Sequence, residues 1–100
     1  MAKITRKIAR EWLADVPEDK VFWCSDGRVM KNLTELEKAL LEMSDETFRY
    51  HANESKNDFS NWIQDVIGDV QLADDLRRNT TRPEAAESIA TRIAWLKTRK

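Results

Sequence analysis

The chain has 100 residues and a net charge of −1; 41% of its residues are hydrophobic and 35% are charged. This length predicts one globular domain over residues 1–100, and the composition excludes a disordered chain. With two glycines and two prolines, the chain lacks the turns that sandwiches and barrels need. No apolar run approaches the roughly 20 residues of a membrane-spanning helix. The lone cysteine favours a reducing, cytoplasmic location.

The small net charge conceals a segregation of charge along the chain. Residues 1–12 carry four basic side chains and one acidic, residues 77–100 carry seven basic and two acidic, and residues 13–76 carry six basic and fifteen acidic. Two interpretations are open. The basic ends pack beside the acidic middle and neutralise it, or they form a basic face for an acidic partner such as nucleic acid or an acidic protein.

The first predicted element is an amphipathic helix that ends before Pro17. Its apolar positions recur every four residues, at Ile4, Ile8, Trp12 and Val16. Its opposite face is basic, with Lys3, Arg6, Lys7 and Arg10.

Residues 20–31 predict a two-stranded β-hairpin. Val21, Phe22 and Trp23 favour a strand, and the dipeptide Asp26-Gly27 is a strong signal for a two-residue turn. This turn would place Trp23 opposite Met30 and Cys24 opposite Val29. A hairpin of this size is marginal alone, so we expect it to lie on helices.

The rest of the chain predicts further helices, so the expected fold is mostly α (α+β), with five to six short helices and the hairpin. Predicted N-terminal caps lie at Asn32, Ser44, Asn57 or Asp58, Asp69 and Thr81. The segment Asp58–Ile67 has the clearest helical spacing of apolar residues, which places Trp62 in the core. Gly68 then supplies a left-handed position at the helix end.

The patterns DGRVMKNLTELEKAL, MSDETFRYH and NDFSNWIQDVIGD together resemble a small prokaryotic domain family of unknown function. The resemblance extends from about Val21 to Leu76, and its most specific residues are Asn57, Asp58, Phe59, Trp62, Gly68 and Asp69. It implies one folded unit with a stereotyped helix junction, and it implies no activity, substrate or cofactor.

Two interpretations of the junction remain open. In the first, Asn57 and Asp58 cap a helix, and His51 bonds to free carbonyls at the end of the helix before it. In the second, His51, Asn53, Asn57 and Asp58 form a polar binding pocket of a small hydrolase or ligand sensor. Neither a glycine-rich phosphate loop nor a usual zinc ligand set occurs, so we predict no cofactor, metal or catalytic residue.

The last helix carries a second candidate binding surface, formed by Arg92, Trp95 and Arg99. Trp95 lies about 200° around the helix from Ile93, so the two side chains cannot share one face. Three interpretations are open for Trp95, namely a core position against the first helix, a partner surface, or a nucleic-acid contact.

The leading functional prediction is a non-catalytic cytoplasmic protein-interaction or adaptor module, with self-association as one option. The first alternative is nucleic-acid binding through the basic terminal helices, against which the acidic middle argues. The second alternative is the hydrolase or ligand sensor that uses His51 and Asp58. No membrane partner is expected.

Overall fold

The computed structural model of the protein describes residues 4–100, and Lys3 of the predicted basic helix face lies outside them. The helices are α1 (Arg6–Leu13), α2 (Leu33–Glu42), α3 (Asp45–His51), α4 (Asp58–Trp62), α5 (Val70–Arg78) and α6 (Arg82–Lys97). The strands β1 (Phe22–Trp23) and β2 (Val29–Met30) form one antiparallel sheet. The predicted mostly α fold with a single hairpin is therefore confirmed.

Side-chain caps explain where the helices begin. Within residues 4–100, each of the six α-helices is preceded by a residue whose side chain accepts a hydrogen bond from the backbone N–H three residues later; these caps are Thr5, Asn32, Ser44, Asn57, Asp69 and Thr81. Each cap stabilises its helix by about 1 kcal/mol. The predicted caps are confirmed, and the choice between Asn57 and Asp58 falls on Asn57.

The longest helix, α6, lies at the centre of the packing. Its buried residues Ile89, Ile93 and Leu96 belong to the same apolar core as the leucines of α2. Arg82 at the start of α6 donates to the carbonyl of Leu40 near the end of α2 at 2.8 Å. This contact shows that the two helices run in opposite directions. Helices α1 and α5 also pack on α6.

The predicted register of the hairpin is wrong by one residue. Phe22 pairs with Met30, Trp23 pairs with Val29, and the N–H of Cys24 donates to the carbonyl of Arg28 at 2.9 Å. The loop therefore has three residues, 25–27, and the glycine at its end has a φ of 96°. A glycine in this left-handed conformation fits either a two-residue turn or a three-residue loop with a bulge, so the dipeptide alone does not decide the register.

Two predicted helix segments differ from the structure at their ends. The first helix ends at Leu13 instead of continuing to Val16, whose N–H donates to the carbonyl of Lys31 at 2.7 Å. The α4 segment continues as a π-helix over Ile63–Ile67, which the sequence did not predict.

Gly68 ends the π-helix Ile63–Ile67. Its N–H donates to the carbonyl of Ile63 at 2.7 Å, and its φ of 99° is the left-handed conformation that the sequence predicts. A Cβ at this position would lie 3.3 Å from Nε1 of Trp12, so the helix α1 is packed against the glycine. Asp69, the N-terminal cap of α5, directly follows this glycine.

Trp62 occupies the core, as predicted. Its side chain is buried, and its indole N–H donates to the carbonyl of Lys20 at 2.8 Å. Among residues 4–100, no helix is both long enough and apolar enough to cross a membrane.

Candidate functional site

Helices α5 and α6 run antiparallel and form the walls of a surface groove. Asn79, which follows α5, donates from Nδ2 to Oγ of Ser88 in the first half of α6 at 2.8 Å. Asp69, which precedes α5, pairs instead with Arg92 in the second half of α6. The lining of the groove includes Ile4, Gln71, Asp75, Thr91, Trp95 and Arg99.

Trp95 is the aromatic residue of this groove. The guanidinium carbon of Arg99 lies 3.8 Å from the centroid of its ring, and that of Arg92 lies 4.4 Å away. The indole is half-buried and packs against the edge of the hydrophobic core. Trp95 is therefore neither a fully buried core residue nor a freely exposed one, and one part of the ring remains available in the groove.

The predicted exposed patch of Arg92, Trp95 and Arg99 is wrong for Arg92. The side chain of Arg92 is only 12% exposed, and its Nε donates to Oδ2 of Asp69 at 2.6 Å. Its Nη2 donates to Oδ1 of the same carboxylate at 2.9 Å. Two parallel hydrogen bonds to one fully buried carboxylate make Arg92 a structural residue, and only Trp95 and Arg99 remain for contact with a partner.

The sequence predicted Asp69 only as a helix cap. Asp69 accepts a hydrogen bond from the N–H of Leu72 at 3.2 Å, so the predicted cap is confirmed. The pair with Arg92 joins residues 23 positions apart. No local pattern in the sequence signals it.

Charge is distributed unevenly along the groove. Glu84 and Glu87 lie in the first half of α6, and neither forms an ion pair with another residue of the described chain. Asp75, on the facing helix, is paired with Arg78 at 2.7 Å. Basic side chains gather at the other end of α6 and on the adjacent helix α1. Within residues 4–100, no ion pair forms at Arg6, Lys7, Arg10, Lys97, Arg99 or Lys100.

The ion pairs of the structure bear on both interpretations of the charge segregation. If the basic ends neutralised the acidic middle through direct contacts, these side chains would form ion pairs with it. Basic residues nearer to the acidic segments do so, such as Arg82 with Asp45 at 2.9 Å. The named basic residues of α1 and of the end of α6 are therefore left without an ion pair within residues 4–100.

His51 connects the hairpin to the α3–α4 junction. Its buried imidazole accepts a hydrogen bond at Nε2 from the N–H of Ser25, 2.9 Å away. Its Nδ1 lies 2.9 Å from Oδ2 of Asp58. Because Nε2 accepts, the proton of the neutral ring is on Nδ1, which donates to the carboxylate. The predicted bond from His51 to carbonyls at the end of its own helix does not occur, since both ring nitrogens have other partners.

Asp58 receives hydrogen bonds from His51 and from Nζ of Lys56, the latter at 3.0 Å. Partial burial acts to raise the pKa of this carboxyl. The hydrogen bonds from His51 and Lys56, together with the charge of Lys56, outweigh burial, and the pKa of Asp58 is lowered. The carboxylate form is therefore favoured by the fold.

The four residues of the predicted polar pocket separate into two pairs. His51 and Asp58 bond to each other. Asn53 and Asn57 line a surface cavity that neither His51 nor Asp58 lines, and their side chains donate hydrogen bonds to backbone carbonyls. Asn53 donates to the carbonyl of Arg49 at 2.9 Å, and Asn57 donates to that of Leu76 at 3.3 Å. The sequence correctly placed these residues near one another, but they do not form a single site.

The outer face of the hairpin carries exposed apolar side chains that the sequence pattern does not predict. Trp23 is 73% exposed and pairs with Val29, which is also exposed. The wrong register had placed Trp23 opposite the buried residue Met30. The side chain of Cys24 is buried in the core. Burial raises the pKa of its thiol, and this keeps the group protonated and unreactive.

In comparisons with known proteins, no family model, no curated protein and no solved structure matches the chain. Among residues 4–100, no three His, Cys, Asp or Glu side chains are grouped so that they would hold a metal ion.

Proposed function

We propose that the protein is a non-catalytic cytoplasmic interaction module that binds a protein partner along the α5–α6 groove. The observation that carries the proposal is the half-buried indole of Trp95, which contacts the guanidinium group of Arg99. Tryptophan and arginine are the residues that most often anchor protein interfaces. The stacking also orders the arginine before binding, which lowers the entropic cost of association.

The charges of the groove specify the partner. Glu84 and Glu87 favour basic side chains opposite them, and Arg99 favours an acidic one. The partner surface therefore has a basic end and an acidic end, separated by about the distance from Glu87 to Arg99 along α6. A uniformly acidic or uniformly basic partner would meet a like charge at one end of the groove.

The hydrolase or ligand-sensor alternative is not favoured by the geometry of His51. A general base needs a free nitrogen lone pair within reach of a substrate proton. In His51 that lone pair accepts the N–H of Ser25, and the other nitrogen is bonded to Asp58. With both nitrogens bonded, the ring of His51 links the hairpin loop to the α3–α4 junction, which is a structural role.

Nucleic-acid binding has one observation in its favour, namely the unpaired basic side chains of α1 and of the end of α6. Such binding would weaken steeply with salt because phosphate contacts release counterions. We expect no binding to duplex DNA or RNA at physiological salt, since a chain with net charge −1 gains little from it overall. A salt-sensitive complex that is weakened by Arg6→Glu or Arg10→Glu would favour this alternative over the proposal.

The proposal is tested with a synthetic helical peptide that carries glutamates in its first half and lysines in its second half. The ¹⁵N-labelled protein gives one indole resonance for each of its four tryptophans, and Trp95→Phe assigns the resonance of Trp95. We expect the peptide to shift this resonance in a saturable manner, and we expect Arg99→Glu to abolish the shift.

A control peptide of the same composition has glutamate and lysine alternating along its length. It carries the same charges without the two ends, so it should not shift the Trp95 resonance. If neither peptide shifts the resonance, the groove does not bind a charged protein segment and the proposed function is wrong.

A further inference from the structure

We infer that the partner that fits this groove is a second copy of the chain, docked with its α6 antiparallel to the first. This inference rests on the proposed function and names its partner. The groove selects a surface with one acidic end and one basic end, and α6 itself presents such a surface. Glu84 and Glu87 lie in its first half, and Lys97 and Arg99 lie at its end.

The exposed positions of α6 form a continuous stripe. Glu87, Thr91, Ala94 and Thr98 are exposed and recur every three or four residues, so they lie on one side of the helix. The side chains at the centre of the stripe are short. A second helix can therefore approach closely there, within the roughly 8–10 Å between axes that packed helices adopt.

A two-fold axis is the arrangement that matches the charges. With the axis at Thr91, Glu87 of one copy faces Trp95 of the other, because both positions are four residues from the axis. The guanidinium group of Arg99 lies over the ring of Trp95 at 3.8 Å, so it meets the carboxylate of Glu87 from the second copy. The symmetry repeats this contact on the other side.

Parallel alignment of the two helices would place glutamate beside glutamate and arginine beside arginine, which is unfavourable. The antiparallel arrangement also brings the unpaired basic residues of α1 towards the acidic end of the second copy. In that complex the segregated charges of the sequence compensate each other between molecules. Within one molecule of the described chain, those basic residues form no ion pair.

The association is tested by sedimentation equilibrium over a range of protein concentrations. We expect a reversible dimer that weakens as salt is added. Glu87→Lys and Arg99→Glu each create a like-charge contact across the axis, and each should weaken the dimer by about tenfold or more. Glu87 and Arg99 are exposed and form no ion pair with another described residue, so the fold tolerates both changes.

Charge reversal at both positions provides the decisive measurement. The double variant Glu87→Lys/Arg99→Glu restores opposite charges across the axis and should dimerise nearly as well as the natural chain. An equimolar mixture of the two single variants should form a mixed dimer for the same reason. Lys38→Glu changes the charge as Arg99→Glu does, on the exposed side of α2, and should leave the dimer unchanged.

Cross-linking locates the axis. Thr91→Cys should form an intermolecular disulfide rapidly under mild oxidation, whereas Lys38→Cys should not. The natural Cys24 is buried and serves as the background. Failure of Thr91→Cys to cross-link, or a dimer that is indifferent to both charge reversals, would place the interface elsewhere and overturn the inference.

The two proposals fail in distinguishable ways. If the chain stays monomeric up to millimolar concentration while the two-ended peptide still shifts the Trp95 resonance, the second copy is wrong and the proposed function stands. If the peptide also has no effect, both proposals are wrong.

Discussion

Asp69→Asn is expected to destabilise the protein strongly, although the substitution removes no volume and keeps the helix cap. The carboxylate of Asp69 is fully buried and accepts three hydrogen bonds, one from the N–H of Leu72 and two from the guanidinium group of Arg92. An asparagine oxygen can still accept the bond from Leu72. Its neutral amide cannot balance the charge of Arg92, which remains almost entirely buried.

The expected cost follows from these contacts. Removing one partner of a buried ion pair destabilises a protein by about 3–5 kcal/mol. We expect the lower end of this range, about 3 kcal/mol, because Arg92 keeps its contact with the ring of Trp95. Asp69→Ala should cost about 1 kcal/mol more, since it also removes the cap. These losses are a large part of the roughly 5–15 kcal/mol that stabilises a small domain.

Urea titrations followed by far-ultraviolet circular dichroism measure these differences in unfolding free energy, with the same dependence on urea concentration expected for all variants. A double-mutant cycle with Arg92→Met then isolates the pair. The double variant Asp69→Asn/Arg92→Met should lose much less than the sum of the two single losses, because neither buried charge is then left without its partner. A cost below about 1 kcal/mol for Asp69→Asn, or additive losses in the cycle, would refute the assignment of Arg92 as a structural residue.

Three further test substitutions, two of them with a matched control, probe other parts of the fold. Trp62→Ala should cost about 3–5 kcal/mol because it leaves a cavity in the core, whereas Trp62→Phe should cost less because it retains most of the ring. Gly68→Ala should cost about 1–2 kcal/mol from its left-handed backbone, and more than Gly27→Ala, which has the same strain but no neighbour within 4 Å of the added carbon. Asp58→Asn should remove part of the pH dependence of stability. Because the pKa of Asp58 is lowered in the folded state, its contribution is complete above the ordinary carboxyl pKa of about 4 and is lost as pH falls through the folded value.

Thermal and urea unfolding across a pH series check these expectations. A loss below 1 kcal/mol in Trp62→Ala would mean that this side chain is not part of the core. Equal losses in the two glycine variants would show that the contact with Trp12 has no energetic role. For Asp58→Asn, the difference in unfolding free energy from the natural chain should shrink as the pH falls below about 4 and through the lowered pKa of the folded state, and a constant difference would contradict the stated role of the carboxylate.

The sequence predicted the helix starts well because a cap is a local interaction. Each cap joins a side chain to a backbone N–H three residues later, so Asn32, Ser44 and Thr81 carry the information within a single turn. The apolar spacing from Phe59 to Ile67 likewise identified the faces that are buried. These signals depend only on residues that are neighbours along the chain.

The errors arose where distant residues determine the structure. The partner of His51 lies 26 residues away and the partner of Arg92 lies 23 residues away, and neither pair has a spacing that the sequence reveals. The hairpin register failed for a different reason. The glycine at position 27 is compatible with two loops, and the choice between them depends on which strand face the helices cover. The candidate groove was therefore found in part, through Trp95, while its two walls and its charges required the fold.

The bond between His51 and Ser25 has a consequence for how the protein folds. The two strands are adjacent in sequence, which would ordinarily let a hairpin form early. Each strand has only two paired residues, however, so the hairpin is unstable by itself. Its loop is fixed by an imidazole that is in place only after the α3–α4 junction has assembled. We therefore expect the hairpin to order late, after a contact that closes a loop of 26 residues. In kinetic terms, this sheet depends on its helices despite the short separation of its strands.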